Sequence, residues 1–353
     1  MKRSQKGSQK VVIKVGSSLL TGGGGTLVSE SVRLIVDLVA SFWANGDHAI
    51  LVSSGAVACG LSVLGLKKRP ADVAQLQAAA AAGQHILMQR YGEEFARHGL
   101  RCAQVLLTRD DFMDRRRYLN ARHTLNALLL HGLIPIVNEN DTVSVEEIRF
   151  GDNDTLSARL AVAVQADRLH IITDTDGLYR QFDPKTGRKS DLIRVVEGVT
   201  PEIERAACGT DKASCVGGMS TKIQAARIAT RAGIGVSITA PTLALSRIAF
   251  TLPLPAEFVG TYFVADAAAC GSKRHWIAFE ASVAGKVFVD AGAREALVDK
   301  NRSLLAPGVR AVEGDFKKGD VVEIWEEKGA CFAKGRVNYS SRELDLGKQK
   351  KFQ

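Results

Sequence analysis

The chain has 353 residues, of which 46% are hydrophobic and 24% charged, with a net charge of +9. This profile fits a globular protein of about two domains with real cores. No uninterrupted apolar run approaches the ~18 to 20 residues that a membrane helix needs, which excludes a helical membrane protein. The basic N-terminus, Met1 to Lys10, raises a signal peptide, but Lys14 cuts the apolar stretch that follows and no small-residue cleavage site comes after it, so the chain reads as cytosolic. The six cysteines form no C-x-x-C pair and lie near no histidine at zinc-ligand spacing, so buried free thiols in a reducing compartment are expected. The positive charge fits a nucleic-acid partner, anionic substrates or plain solubility equally.

From residue 10 to about 262, short apolar runs alternate with helical stretches. The predicted strands are Val11–Val15, Ala49–Ser53, Ala103–Thr108, Leu133–Asn138, Arg168–Thr173 and Gly235–Thr239. They are mostly continuous rather than alternating, as in a parallel sheet covered on both faces. The predicted helices are Ser31–Trp43, Ala71–His98, Asn120–His131, Thr155–Gln165 and Lys222–Ala232, the last with Ala225, Ile228, Ala229 and Ala232 on one stripe. The order predicts an α/β doubly wound domain whose ligands sit beyond the carboxyl ends of the strands. After about Gly260 the pattern changes. Residues 263–273 read as a linker. From Arg274 short β-type segments follow, at Trp276–Phe279, Lys286–Val289, Val309–Val312, Val321–Trp325 and Cys331–Val337, separated by Gly-Asp turns. The organisation expected is therefore a catalytic domain over residues 1–262 and a small β-rich domain over 274–353.

The residues after each strand carry the chemistry. Lys14 lies inside the first strand, where an ammonium needs a partner or a site. It either projects to a phosphate, with the Gly16-Ser17-Ser18 backbone as a cradle, or reaches water from an edge strand. Ser53-Ser54-Gly55-Ala56 is an anion-binding turn at a helix start or an ordinary turn with a serine cap. Gly22–Gly25 lacks the Gly-Lys-Ser/Thr of a Walker loop, and no H-E-x-x-H, G-x-S-x-G or G-x-G-x-x-G occurs. Asn138-Glu139-Asn140-Asp141-Thr142 and Gly151-Asp152-Asn153-Asp154 are two polar clusters at element junctions, more than capping requires. They can hold an amino-acid ammonium and position a lysine. Thr173-Asp174-Thr175-Asp176-Gly177 suits a ribose or base loop. Gly217-Gly218-Met219-Ser220-Thr221-Lys222 opens a helix, with free N–H groups and a cation for phosphate and the pattern of a capping box from Thr221 to Gln224.

Together V-I-K-V-G-S-S (12–18), V-S-S-G-A (52–56), L-L-T-R (106–109), Y-L-N-A-R (118–122), I-V-N-E-N-D (136–141), G-D-N-D (151–154), T-D-T-D-G-L-Y (173–179) and G-G-M-S-T-K (217–222) resemble the amino-acid kinase family, most closely its glutamate-phosphorylating members. The resemblance covers nearly all of residues 10–262. It implies a three-layer αβα sandwich on a mostly parallel sheet, ATP with Mg²⁺, and phosphorylation of the γ-carboxylate of L-glutamate as the first step of proline biosynthesis. It also implies inhibition by proline, a homo-oligomer and a functional link to the reductase that takes the acyl phosphate. Lys14 and Lys222 are assigned as clamps on the transferring phosphoryl group, with Asp154 organising both. Ser54, Gly55, Asp141, Asp152 and Asn153 are the expected glutamate ligands. Gly16, Ser17, Thr173, Asp174, Val216, Gly217, Gly218, Met219, Ser220 and Thr221 are expected around ATP, with Val216 where a threonine commonly stands.

G-K-V-F-V-D-A-G-A (285–293), P-G-V (307–309), G-D-F-K-K-G-D-V-V (314–322) and A-K-G-R-V-N-Y-S-S (333–341) resemble a PUA domain, in a shortened form because a typical family member continues beyond the lysine-rich end at Gln353. Two competitors are a sister kinase with another acceptor, such as aspartate, acetylglutamate or UMP, and an RNA-binding protein with a vestigial kinase site.

Overall fold

The computed structural model describes residues 8–21, 27–144, 153–181, 190–208, 218–242, 245–246, 248, 250, 252–267, 276–300, 302–327 and 329–347. The chain runs through β1 (Lys10–Val15), α1 (Ser17–Thr21), α2 (Ser29–Ala44), β2 (His48–Val52), α3 (Ala56–Val63), α4 (Val73–Ala96), β3 (Arg101–Leu107), α5 (Arg109–Met113), α6 (Arg115–Leu130) and β4 (Leu133–Glu139). It continues with α7 (Asn153–Val164), β5 (Arg168–Ile172), β6 (Val195–Val196), α8 (Pro201–Cys208), α9 (Met219–Arg231), β7 (Gly235–Thr239) and β8 (Thr261–Phe263).

The strands form one eight-stranded sheet in the order β3-β4-β2-β1-β5-β7-β8-β6. Every pairing is parallel except β7 with β8. Chain order reverses around β1, whose neighbours are β2 and β5, so the crevice for a ligand opens at the carboxyl ends of these strands. Val11, Val12, Ile13 and Val15 are all buried, so both faces of β1 are covered. On β5, His170 is buried against Ser237 on the paired strand, Nδ1 to Oγ 2.6 Å. Burial, then the nearby Arg168, pulls its pKa down to about 3, so it is a neutral core histidine.

Helices α3 and α4 touch backbone to backbone. A Cβ on Gly60 would lie 1.8 Å from the Ala79 carbonyl oxygen, and one on Gly83 would lie 1.9 Å from that of Ala56. Val57, Leu61, Leu76, Ala79 and Ala80 fill the seam around this contact. Gly83→Ala is therefore expected to destabilise the fold by about 1–3 kcal/mol, because backbone rather than a flexible side chain must move. Thermal unfolding of the variant checks this, and an unchanged Tm contradicts the close contact.

Phe112–Arg117 and residues 271–353 group as a second unit. Its strands are β9 (Val283–Val289), β10 (Val309–Glu313), β11 (Val321–Glu326) and β12 (Cys331–Arg336), in the order β10-β9-β11-β12. Two helices lie beyond the sequence expectation, α10 (Ala291–Val298), capped by Asp290 through Ala293 N at 2.8 Å, and α11 (Ser341–Gly347). Val287, Val289, Val309, Phe316, Val322 and Ile324 form the core. Trp276–Phe279, expected as a strand, lies instead in a π-helical turn over Trp276–Glu280. A four-residue apolar run has no periodicity to separate the two. No helix among the described residues is long and apolar enough to cross a membrane.

Candidate active site

Four strand ends and four helix starts converge on a cleft of about 270 Å³, lined among others by Lys14, Gly16, Ser17, Ser54, Gly55, Asp141, Asn153, Asp154, Thr173, Gly218, Thr221 and Lys222. Lys14 lies between β2 and β5 in the middle of the sheet, so the edge-strand reading does not hold. Its ammonium meets the Asp154 carboxylate at 2.6 Å. Lys222, in the first turn of α9, reaches the other oxygen of the same carboxylate at 3.2 Å. All three residues are buried. Burial pushes the Asp154 carboxyl upward, and Lys14, Lys222 and the Thr221 hydroxyl, which donates at 2.6 Å, outweigh it and hold the group below its ordinary value. That stability is present above the ordinary carboxylate pKa and is lost as pH falls through the lowered one.

A second group lines the same cleft. Asn138 Oδ1 accepts the Glu139 backbone N–H at 2.9 Å, and since a backbone N–H only donates, this fixes the amide's orientation. Asn138 Nδ2 then donates to Gln84 Oε1 at 2.9 Å. The same Asn138 oxygen takes Asn153 Nδ2 at 3.0 Å, and that Nδ2 also faces Ser54 Oγ at 2.8 Å and the Ser53 carbonyl at 3.0 Å. The Asn153 oxygen is left buried with no hydrogen-bond partner among the described residues, an acceptor in want of a donor. Asp141 is half-buried. Burial raises its pKa to about 6, against the pull of Arg69.

Several expectations need correction. Gly16 lines the cleft as expected, but its N–H donates to the Ile172 carbonyl at 3.3 Å. Thr221 forms no capping box: the N-cap of α9 is Gly218 with no side-chain cap, since the helix starts at Met219 and the Thr221 hydroxyl turns to Asp154 and the Gly218 carbonyl. Nor does a serine cap α3; its N-cap is Gly55, at φ +109°, a left-handed conformation that favours glycine. Asp174, Met219 and Ser220 do not line the cleft, although Asp174 accepts the Thr173 hydroxyl at 3.1 Å. Asp152, Val216 and Gly217 lie outside the described residues. The cleft also contains Asn138 and Glu139, signalled by the polar cluster at the end of β4, and Arg69, which carries no local sign in the sequence. Among the described residues no group of three or more His, Cys, Asp or Glu is placed to hold a metal ion.

A buried carboxylate holding two lysines at the switch point of a parallel sheet is a site built to gather negative charge. The amino acid kinase family model matches residues 9–240, and the chain belongs to that family and is a kinase. It is 44% identical to the glutamate 5-kinase of Citrifermentans bemidjiense over 96% of this chain and 89% of that protein. It is 46% identical to the glutamate 5-kinase of Moorella thermoacetica over 98% and 90% of the two chains. A PUA domain matches residues 285–352. Among solved structures, carbamate kinase from Giardia lamblia bound to AMP-PNP aligns with a TM-score of 0.50 at 17% identity, covering 73% of this chain and 99% of that one, which shows the shared fold.

Proposed function

We propose that the protein transfers the γ-phosphoryl group of ATP to the γ-carboxylate of L-glutamate, giving L-glutamyl 5-phosphate and ADP at the head of proline biosynthesis. The observation that carries the reading is the buried Lys14–Asp154–Lys222 bridge, in a cleft that also offers acceptors for an ammonium. The acceptor carboxylate has an ordinary pKa of about 4.3 and is ionised at neutral pH, so no general base is required. The difficulty is the approach of two anions and the charge spread over the phosphoryl oxygens, which positive side chains and N–H groups stabilise.

In this mechanism Lys14 and Lys222 face the phosphoryl oxygens, while Asp154 keeps both charged and aimed. Thr173, Gly218 and the α9 N-terminus face the nucleotide phosphates. The donor set fits ATP, since it is cationic and opens at a helix start. Among the described residues it supplies no carboxylate cage, so Mg²⁺ would come with ATP and would supply charge neutralisation. The Asn153 oxygen and the Asp141 carboxylate accept the α-ammonium of glutamate. Asp152, Val216 and Gly217 are retained as ligands by sequence resemblance. Proline is expected to compete at the glutamate site.

Asp141 gives a pH dependence of definite sign. Its raised pKa means that the empty protein gains stability from this group at low pH and loses it as pH rises through about 6. Asp141→Asn is thus expected to raise the Tm of the ligand-free protein at pH 8 while raising KM for glutamate by about tenfold or more. In the unmodified protein KM for glutamate is expected to climb as pH falls below about 6. A flat KM profile would remove Asp141 from the ammonium site.

Release of ADP from Mg-ATP, measured with glutamate, aspartate, acetylglutamate and UMP in turn, tests the reading. Turnover with glutamate and its suppression by proline are expected. Turnover with another acceptor alone would overturn it.

A further inference from the structure

Apart from Glu139, whose carboxylate accepts the Ser144 hydroxyl at 2.9 Å, the cleft carries its charges in two clusters. Lys14 and Lys222 act on Asp154, whereas the charge that pulls on Asp141 is Arg69. Phosphoryl transfer must occur at the lysine cluster, which places the γ-carboxylate there and leaves the α-carbon of the substrate for the other. An amino acid carries two opposite charges at that carbon, an ammonium and a carboxylate. Asp141 and Arg69 supply the matching pair, one anion and one cation, on one side of the cleft. Arg69 comes from the connection between α3 and α4, in the run Lys67-Lys68-Arg69-Pro70. Of these three basic residues Arg69 alone lines the cleft. Pro70 restricts Arg69 to extended backbone, which limits how its base can move. Further donors in the cleft are the uncapped first turn of α3 at Gly55, Ala56 and Val57.

We propose that Arg69 binds the α-carboxylate of the substrate and, paired with Asp141, makes the enzyme select the free α-amino acid over derivatives blocked at the α-carboxylate. The assignment rests on the reading of the protein as a glutamate kinase. Guanidinium and carboxylate match in a two-pronged, charge-assisted geometry that an amide cannot reproduce, because its NH₂ would face the donors of Arg69. Arg69 is exposed, so its replacement leaves the core intact.

The test compares kcat/KM for L-glutamate and for its α-amide, which keeps the ammonium and the γ-carboxylate, in the full chain and in Arg69→Met. The unmodified enzyme is expected to prefer glutamate by about 10²-fold, the scale set by a single charge-assisted pair. Arg69→Met is expected to reduce the preference to less than about tenfold, through KM for glutamate, with KM for ATP unchanged. Arg69→Lys should restore part of the preference, since it keeps the charge but not the fork, and Lys68→Gln should leave it intact. An Arg69→Met enzyme with undiminished preference overturns the assignment while leaving the glutamate reading in place. An unmodified enzyme that releases no ADP with glutamate overturns both.

Discussion

Lys222→Ala is expected to lower kcat by about 10³-fold or more while the protein stays folded, the scale seen when a positive group facing a phosphoryl transition state is removed. The reason lies in the bridge at Asp154. With Lys222 gone, the carboxylate keeps Lys14 at 2.6 Å and the Thr221 hydroxyl at 2.6 Å, so no buried charge is stranded. Glutamate still meets Asp141 and Asn153, so its KM should shift by far less than kcat. Lys14→Ala should lose turnover on the same scale, because one of the two ammonium groups facing the phosphoryl oxygens is then gone. Steady-state kinetics with circular dichroism separates the two quantities. Near-normal kcat in either variant would take that lysine off the phosphoryl group. Lys222→Arg is not a neutral control, since a planar fork cannot replace a compact ammonium in a buried site.

Asp154→Asn is expected to damage both activity and stability. It removes the carboxylate that both buried lysines share, and loss of one member of a buried ion pair destabilises by about 3–5 kcal/mol. The lysines would relieve it by losing protons, and a neutral amine does not stabilise phosphoryl charge. Unfolding should shift to markedly lower temperature, with turnover reduced at least as far as in the lysine variants. If the variant does not fold, the triple replacement Lys14→Met, Asp154→Leu, Lys222→Met separates the causes. It removes all three charges together and is expected to recover the stability but none of the activity. An Asp154→Asn protein with normal Tm and normal turnover would contradict the whole arrangement.

Parts of this arrangement are legible in the sequence. The parallel sheet can be read because its strands are continuous apolar runs, and the cluster from Asn138 to Asp141 stands out because polar residues crowd the end of such a run. Lys14 cannot be decided locally. Its segment fits an edge strand as well as a site, and only the pairing of β1 between β2 and β5 removes the first option. Arg69 is hidden for the opposite reason, since a Lys-Lys-Arg run looks like a solvated surface and nothing local shows that one member turns to the cleft. The capping box expected at Thr221 fails because a hydroxyl that fits a helix cap also fits a carboxylate, and Asp154, 67 positions away in sequence, is its partner. The amide chain Gln84–Asn138–Asn153 is likewise invisible in sequence, since it joins residues on α4, β4 and α7.

The most direct test of transfer to the γ-carboxylate is chemical capture of the product. An acyl phosphate reacts with hydroxylamine to give a hydroxamate, so the enzyme is incubated with Mg-ATP, L-glutamate and hydroxylamine, and ADP and γ-glutamyl hydroxamate are measured together. Both are expected to form in equal amounts, and neither when glutamate is omitted. ADP without hydroxamate, or hydroxamate only when aspartate or acetylglutamate replaces glutamate, would contradict transfer to the γ-carboxylate of glutamate.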